Sequence, residues 1–327
     1  MKAILTRAPG GREQLYMGEH SIPSMFKHEL KIKVQASGVN RADILQREGK
    51  YPPPKGESPI IGLEVSGLVE KVGEDCTGFQ KGDKVMALLA GGGYGEYVAV
   101  HQDLVIPVPD QVDLIDAAGI PEVFITAYQV LFKIANLKSG EWVLIHAGAS
   151  GVGTAAIQLC KAVGANCIAT VRSNEKVEFC ESLGADVAIN TATVKYDKRV
   201  LEVTDEKGVN IILDPVGAAY FEKNLAIAAL DCRWVLIAGM GGVKIPEFNL
   251  AKLLIKRVAL IGSTLRSRDH NYKSQLVKNF SDQFLNKFGT GELNPIIDSI
   301  FDVKDVAEGH AYMETNRNMG KIILNWP

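Results

Sequence analysis

The stretch Glu141–Ala165, EWVLIHAGASGVGTAAIQLCKAVGA, decides the fold. Trp142 to Ile145 make a short apolar run with the length and content of a buried parallel strand. A turn of small residues follows. Val152, Ala155, Ala156, Leu159 and Val163 then recur at helical spacing, which predicts a helix with one buried stripe. A strand, a tight small-residue turn and a helix start together make a pyrophosphate site. The first turn of a helix offers unpaired N–H groups and a partial positive charge, and only small residues let phosphate oxygens reach them. The turn reads G-x-S-x-x-G, with Gly148, Ser150 and Gly153 at its three positions and Gly151 and Val152 before the last. Taken alone, the pattern also fits a close helix–strand contact with no ligand.

The sequence beyond it favours the dinucleotide reading. Strand-like and helical segments alternate: Asn166–Val171 then Lys176–Leu183, Asp186–Asn190 then Val194–Val203, Asn210–Leu213 then Tyr220–Leu230, Arg233–Ile237 then Leu250–Lys256, and finally Ala259–Ser263. With right-handed crossovers these give a doubly wound parallel sheet of the Rossmann type, in strand order 3-2-1-4-5-6. The apolar last strand then lies at an edge, which invites pairing unless something covers it. A homodimer joined through that strand is expected; the other solution is a cap formed by the chain's own C-terminal segment.

Composition fits an enzyme and excludes other classes. A chain of 327 residues suits two domains, and 46% hydrophobic residues is a globular proportion. Lys plus Arg at 36 against Asp plus Glu at 38 leaves no basic surplus, so no nucleic-acid partner is expected. No apolar run is long enough for a membrane span, and Met1 leads directly into a strand-like KAILTR, so a cytoplasmic location is expected. The five cysteines are scattered and odd in number, which suits reduced thiols better than a disulfide framework or a metal site.

The flanking sequence has a different texture. Short strand-like segments (Lys2–Leu5, Leu30–Ala36, Gly67–Val72, Lys84–Leu88, Tyr97–Val100) are closely punctuated by Gly, Pro and Asp, which predicts an irregular β-rich domain with no long helix. After Ser263 come a helix near Tyr272–Phe288, a strand near Ile297–Phe301, a helix near Val303–Thr315 and a last strand, Lys321–Leu324. The economical arrangement inserts a nucleotide-binding domain, residues 125–262, into a discontinuous partner made of residues 1–124 and 263–327, with substrate held in the cleft between them.

Several motifs are shared with one family. GVNRADILQREGKY at 38–51, GLEVSGLVEKVG at 62–73, GDKVMAL at 82–88, IPEVFITAYQ at 120–129, HAGASGVGTAAIQL at 146–159 and LRSRD at 265–269 span nearly the whole chain. They resemble the medium-chain dehydrogenase/reductase superfamily, and within it the zinc-free quinone oxidoreductases, the group that includes zeta-crystallin. IPEVFITAYQ, CRWVLIAGMGG at 232–242 and LRSRD resemble most the branch induced by a tumour suppressor. The resemblance implies a GroES-like catalytic domain around the Rossmann unit, and homodimers joined through the last Rossmann strand.

It also bears on metal. The family's alcohol dehydrogenases ligate a catalytic zinc with an early cysteine and with the histidine of a G-H-E-x-x-G motif. Here that motif reads Gly62-Leu63-Glu64-Val65-Ser66-Gly67, and Asn40 stands at the cysteine's place. Neither Leu63 nor Asn40 offers the imidazole or thiolate that zinc prefers, so no metal ligands are assigned. Without a Lewis acid, hydride donation to an electron-poor acceptor such as a quinone or an activated alkene remains. Developing charge on the acceptor oxygen calls for a hydrogen-bond donor. The residue types alone favour a packing aromatic and a turn-stabilising amide; the resemblance points instead to Tyr51 and to Asn40 beside it as catalytic candidates.

For the cofactor, the sequence favours NADPH. The tip of the second strand reads Val171-Arg172-Ser173-Asn174-Glu175-Lys176, with no acid for a ribose 2′-hydroxyl. Arg172 and Lys176 are one helical turn apart, and Ser173 can donate a hydrogen bond, a set suited to a 2′-phosphate. Lys176 falls at the family's phosphate-binding lysine, whereas Arg172 stands where close relatives have glycine. Relatives often carry an Asn-Tyr pair after the third strand; here it is Asn190-Thr191, and Thr191 is left unassigned. Tyr51, Gly239, Met240 and Gly241 after the fifth strand, and Ser263 and Leu265 after the sixth, complete the expected cofactor contacts. Two other functions fit the same scaffold: an NADPH-dependent alkenal or enone reductase, and a non-catalytic crystallin-like or RNA-binding protein.

Overall fold

The computed structural model describes all residues, Met1–Pro327. The chain divides into two compact units: Thr126–Thr264, continuous in sequence, and a unit built from both chain ends, Met1–Ile125 with Leu265–Pro327.

The continuous unit is a six-stranded, wholly parallel sheet. Its spatial order is Val187–Asn190, Asn166–Val171, Trp142–His146, Val209–Asp214, Ala228–Leu236 and Ala259–Gly262, the 3-2-1-4-5-6 order expected from the sequence. Helices Gly151–Ala162, Asn174–Ser182, Tyr196–Val203, Phe221–Ile227 and Leu250–Lys256 make the crossovers. Strand Trp142–His146 is central, and Val143, Leu144 and Ile145 are apolar because helices cover both faces. Leu144, Ile168, Ile212 and Trp234 meet in one core. Helix Gly151–Ala162 buries more than the expected stripe: eight of its twelve residues are buried, Thr154, Ile157, Gln158 and Cys160 among them, while Val152 and Val163 are only half-buried. The helix expected over 220–230 stops at Ile227, and Ala228–Leu230 already belong to the fifth strand.

The other unit carries a seven-stranded sheet whose long strand, Glu29–Val39, joins the two ends of the chain. Residues 29–33 pair with Tyr97–His101, residues 36–39 pair with the C-terminal strand Lys321–Asn325, and its other edge holds Glu64–Val72. Leu30, Ile32, Val34 and Ala36 alternate inward, all nearly inaccessible. Ile297–Asp302 lies beyond Lys321–Asn325, and Lys84–Leu88 and Val105–Pro107 extend the far side. The short helix Arg41–Arg47, which follows Asn40 directly, is not among the elements expected from the sequence. The two C-terminal helices run His270–Gly289 and Val306–Glu314. No helix is long and apolar enough to cross a membrane.

Candidate functional site

In the parallel-sheet unit, the turn after Trp142–His146 is tightly built. Ala147 takes a left-handed conformation, φ 55°, and Gly148 N–H returns to Thr170 O at 3.0 Å. Ser150 is the N-cap of helix Gly151–Ala162: its Oγ accepts from Gly153 N–H at 3.1 Å and its carbonyl from Thr154 N–H at 2.8 Å. The first-turn amides of Gly151 and Val152 precede any intrahelical carbonyl that could accept from them. Gly153 has to be glycine, since a Cβ there would lie 2.5 Å from the carbonyl oxygens of both Ala147 and Gly148. The result is a small, amide-lined cradle at a helix start, a shape that suits a pyrophosphate.

At the tip of the next strand, Ser173 caps helix Asn174–Ser182 by accepting from Lys176 N–H at 3.3 Å. Arg172 is exposed and Lys176 half-buried, both at the helix start. Thr191 donates its hydroxyl to Val171 O at 3.1 Å and accepts from Tyr220 at 3.2 Å. Tyr220, which the sequence reading missed, thus reaches the position after the third strand from another element. Its ring lies 4.8 Å from His146 and 4.9 Å from Tyr196.

Gly239, Met240 and Gly241 are held against the loop after the fourth strand. Met240 N–H bonds Pro215 O, Gly241 N–H bonds Val216 O, and Ala218 N–H bonds Gly242 O. Gly217, at φ 81°, lies so close that a Cβ would sit 2.7 Å from Gly242 O. Asp214 organises this pair of loops and is fully used: Oδ1 accepts from Val216 and Gly217 N–H, Oδ2 from Trp234 Nε1 at 2.9 Å and Asn224 Nδ2 at 3.2 Å. Asp214 is therefore a structural anchor. Ser263 is different. Its Oγ is buried and has no hydrogen-bond partner within the protein.

The unit built from both ends contains Tyr51, Asn40 and a buried charge cluster. Lys321, 3% exposed, donates to Asn40 Oδ1 at 2.7 Å and Val39 O at 2.9 Å, and pairs with Glu64 Oε1 at 2.7 Å. Glu64, fully buried, also accepts from Asn40 Nδ2 and from Glu122 N–H, each at 2.8 Å. Both ends of the Asn40 carboxamide are thus committed inside the protein. Asp43 reaches back to Asn40 N–H at 2.7 Å and accepts from Tyr94 at 3.2 Å, leaving its other oxygen unpartnered. Burial pushes the Asp43 carboxyl up to about 7, with Glu64 adding to the rise and the Asn40 N–H and Lys321 opposing it. Burial, then the Glu64 charge, pushes half-buried Glu122 up to about 8.

Tyr51 is held from an unexpected direction. Arg266, nearly inaccessible, donates to Tyr51 O at 3.2 Å, Gln46 Oε1 at 2.7 Å and Ala90 O at 2.7 Å, with its guanidinium 5.3 Å from the Tyr51 ring centre. This is the first arginine of LRSRD, and it follows the buried Leu265. Partial burial, then the Glu122 charge, raises the Tyr51 phenol above its ordinary value, so it stays protonated and able to donate. No local pattern marks Arg266, Glu122 or Lys321, because each acts on residues far away in the chain.

Comparison with known proteins agrees with this picture. Residues 27–110 match a family model described as alcohol dehydrogenase GroES-like domain, and residues 151–282 one described as zinc-binding dehydrogenase. The chain is 29% identical to a quinone oxidoreductase of Homo sapiens over 99% of its own length and 97% of the relative's. A solved mycobacterial protein complexed with NADPH superposes with a TM-score of 0.89 at 28% identity, covering 99% of this chain and all of that one. The CurK enoyl reductase superposes with a TM-score of 0.87 at 26% identity, over 100% and 99% of the two chains.

Proposed function

We propose that this chain, an oxidoreductase of the medium-chain dehydrogenase/reductase superfamily, reduces quinones, ortho-quinones foremost, with NADPH and without zinc. The observation that carries this reading is the Lys321–Asn40–Glu64 cluster. Asn40 and Leu63 stand where the family's alcohol dehydrogenases carry cysteine and histidine ligands, and the oxygens that remain there are bound to a buried ammonium. That donor set does not fit zinc.

The cradle of Gly148, Ser150, Gly151, Val152 and Gly153 fits a dinucleotide pyrophosphate, and the unpartnered Ser263 Oγ fits a further contact. Arg172, Ser173 and Lys176 would take the 2′-phosphate, with the lysine as the principal charge. Bound NADPH supplies the hydride. Reduction of a quinone to a hydroquinone needs that hydride and one proton in addition. Tyr51, whose backbone carbonyl accepts from Arg266, would donate the hydrogen bond to the oxygen on which charge develops. Asn40 acts as a positioning residue, since its carboxamide is taken up by Glu64 and Lys321.

Likeness to the human quinone oxidoreductase supports the quinone reading, and likeness to an enoyl reductase supports the second one, reduction of an alkenal or enone double bond. Turnover of an ortho-quinone and a 2-alkenal, each with NADPH and NADH and each with and without chelator, tests both. We expect the ortho-quinone with NADPH to be fastest and indifferent to chelation. A faster alkenal assigns the site to double-bond reduction, and loss of activity on chelation overturns the zinc-free reading.

Assembly follows the same line. Strand Ala259–Gly262 is bonded on one side only, and Leu254, Ile255 and Leu260 near it are exposed. The C-terminal strand lies in the other unit's sheet and does not cap this edge. An apolar open edge supports a homodimer paired through this strand.

A further inference from the structure

Three of the chain's six histidines, His28, His101 and His270, gather on one patch of the unit built from both chain ends. His101 closes strand Tyr97–His101, Asp103 lies in the single helical turn after it, and His270 opens helix His270–Gly289. We propose that His101, Asp103 and His270 form a site for a borderline divalent transition-metal ion of the Zn2+ or Cu2+ class, separate from the hydride-transfer chemistry.

The spacing of the three side chains fits metal ligands. Asp103 Oδ2 lies 3.4 Å from His101 Nδ1 and 3.2 Å from His270 Nε2, and the three donor atoms all fall within 4.8 Å of one another. Around a tetrahedral ion with bonds of about 2.0–2.1 Å, neighbouring ligand atoms stand roughly 3.3–3.4 Å apart. Two edges of the triangle already have that length. Two imidazoles and one carboxylate are the set that zinc and copper prefer over calcium or magnesium.

Charge points the same way. The two rings lie 4.1 Å apart between centres, so both cannot carry a proton without repulsion. Neutral imidazole is the ligating form. His101 Nδ1 accepts from Asp103 N–H at 3.3 Å as the cap of the helical turn, a contact that an ion bound there would replace. His28, 5.8 Å from His101 and paired with Asp75 at 3.5 Å, adds a second histidine–carboxylate pair at the rim. The three ligand side chains are 31–46% exposed, which leaves coordination positions open to water.

The test uses the untagged chain, stripped with chelator and then titrated with Cu2+ under electron paramagnetic resonance, with Zn2+ as competitor. We expect one saturable site per chain showing coupling to two imidazole nitrogens, and displacement of the copper by zinc. His101→Ala and His270→Ala should each weaken binding by at least about 10–100-fold, the scale that even outer-shell partners command. Zn2+ should raise the melting temperature of the native chain and not that of either variant, while far-ultraviolet circular dichroism verifies their fold. His20→Ala should bind as the native chain does. Binding untouched by both patch variants, coupling to fewer than two nitrogens, or loss of the site in His20→Ala would overturn the assignment.

Discussion

Lys321→Met probes the buried charge cluster directly. Methionine roughly fills the lysine stem, so the change removes the ammonium and little packing. What goes is one ion pair, to Glu64 Oε1 at 2.7 Å, and two hydrogen bonds, to Asn40 Oδ1 at 2.7 Å and Val39 O at 2.9 Å. Glu64 stays fully buried, keeps its bonds from Asn40 and Glu122, and has no cation left against it. Removing one partner of a buried ion pair costs about 3–5 kcal/mol. Each oxygen left without a donor adds about 1–3 kcal/mol. A loss of about 4 kcal/mol is expected, of which Lys321→Met/Glu64→Gln should recover at least about 2 kcal/mol, because the uncompensated charge has gone too. Urea unfolding in a Trp142→Phe/Trp234→Phe background, where the fluorescence comes from Trp326 alone, reads this in the end-built unit. Trp326 lies in the end-built unit, while Trp142 and Trp234 lie in the parallel sheet. The transition reported by Trp326 should move to lower urea with its slope unchanged. A single variant within 1 kcal/mol of the native chain, or a double variant no better than the single, refutes the account.

Gly153→Val drives a side chain into two backbone oxygens 2.5 Å away and should abolish NADPH binding while the chain stays folded; normal binding by dialysis would show the turn to be misassigned. Lys176→Ala removes a charge-assisted bond of about 1.5–3 kcal/mol, so NADPH should weaken roughly 10–100-fold and NADH scarcely at all; equal losses would make the lysine structural. Asp43 and Glu122, raised to about 7 and about 8, give stability that is full below the unfolded carboxyl range and lost as pH rises through those values. His310, lowered to about 3 by burial and then by Arg47, works oppositely and only below the unfolded histidine range. From about pH 6.5 to 8, therefore, stability should fall by roughly 1–2 kcal/mol in denaturant titrations; a flat or rising profile counts against the buried acids. Light scattering should give about 70 kDa, twice the 35.4 kDa chain, for a two-fold dimer; a monomer persisting at high concentration defeats the edge-strand proposal.

The parallel sheet was legible because each of its strands and helices announces itself locally. Trp142–His146 is a continuous apolar run, Ser150 sits one residue before its helix, and Ala155, Ala156 and Leu159 keep helical period. The helix Arg41–Arg47 was not legible, since seven residues hold too few turns to show a period. Arg266 on Tyr51 and Lys321 on Asn40 were hidden for another reason. They are pairings across 215 and 281 residues, and no window of sequence holds both partners. Asn40, which the family resemblance offered as a catalytic candidate, spends both ends of its carboxamide on buried neighbours.

The unit built from both chain ends has a consequence for how the protein is made. When Thr264 leaves the ribosome, Thr126–Thr264 holds every strand of its own sheet and can close. The older, N-terminal part cannot. Residues 36–39 still present an open edge where Lys321–Asn325 will pair. Glu64 has no Lys321, and Arg47 has neither His310 nor Glu314. For the seconds that the remaining synthesis takes, the beginning of the chain carries apolar strands and unmatched charges that only the end can satisfy. The middle matures before the beginning, and the last residues made are the ones that complete the first.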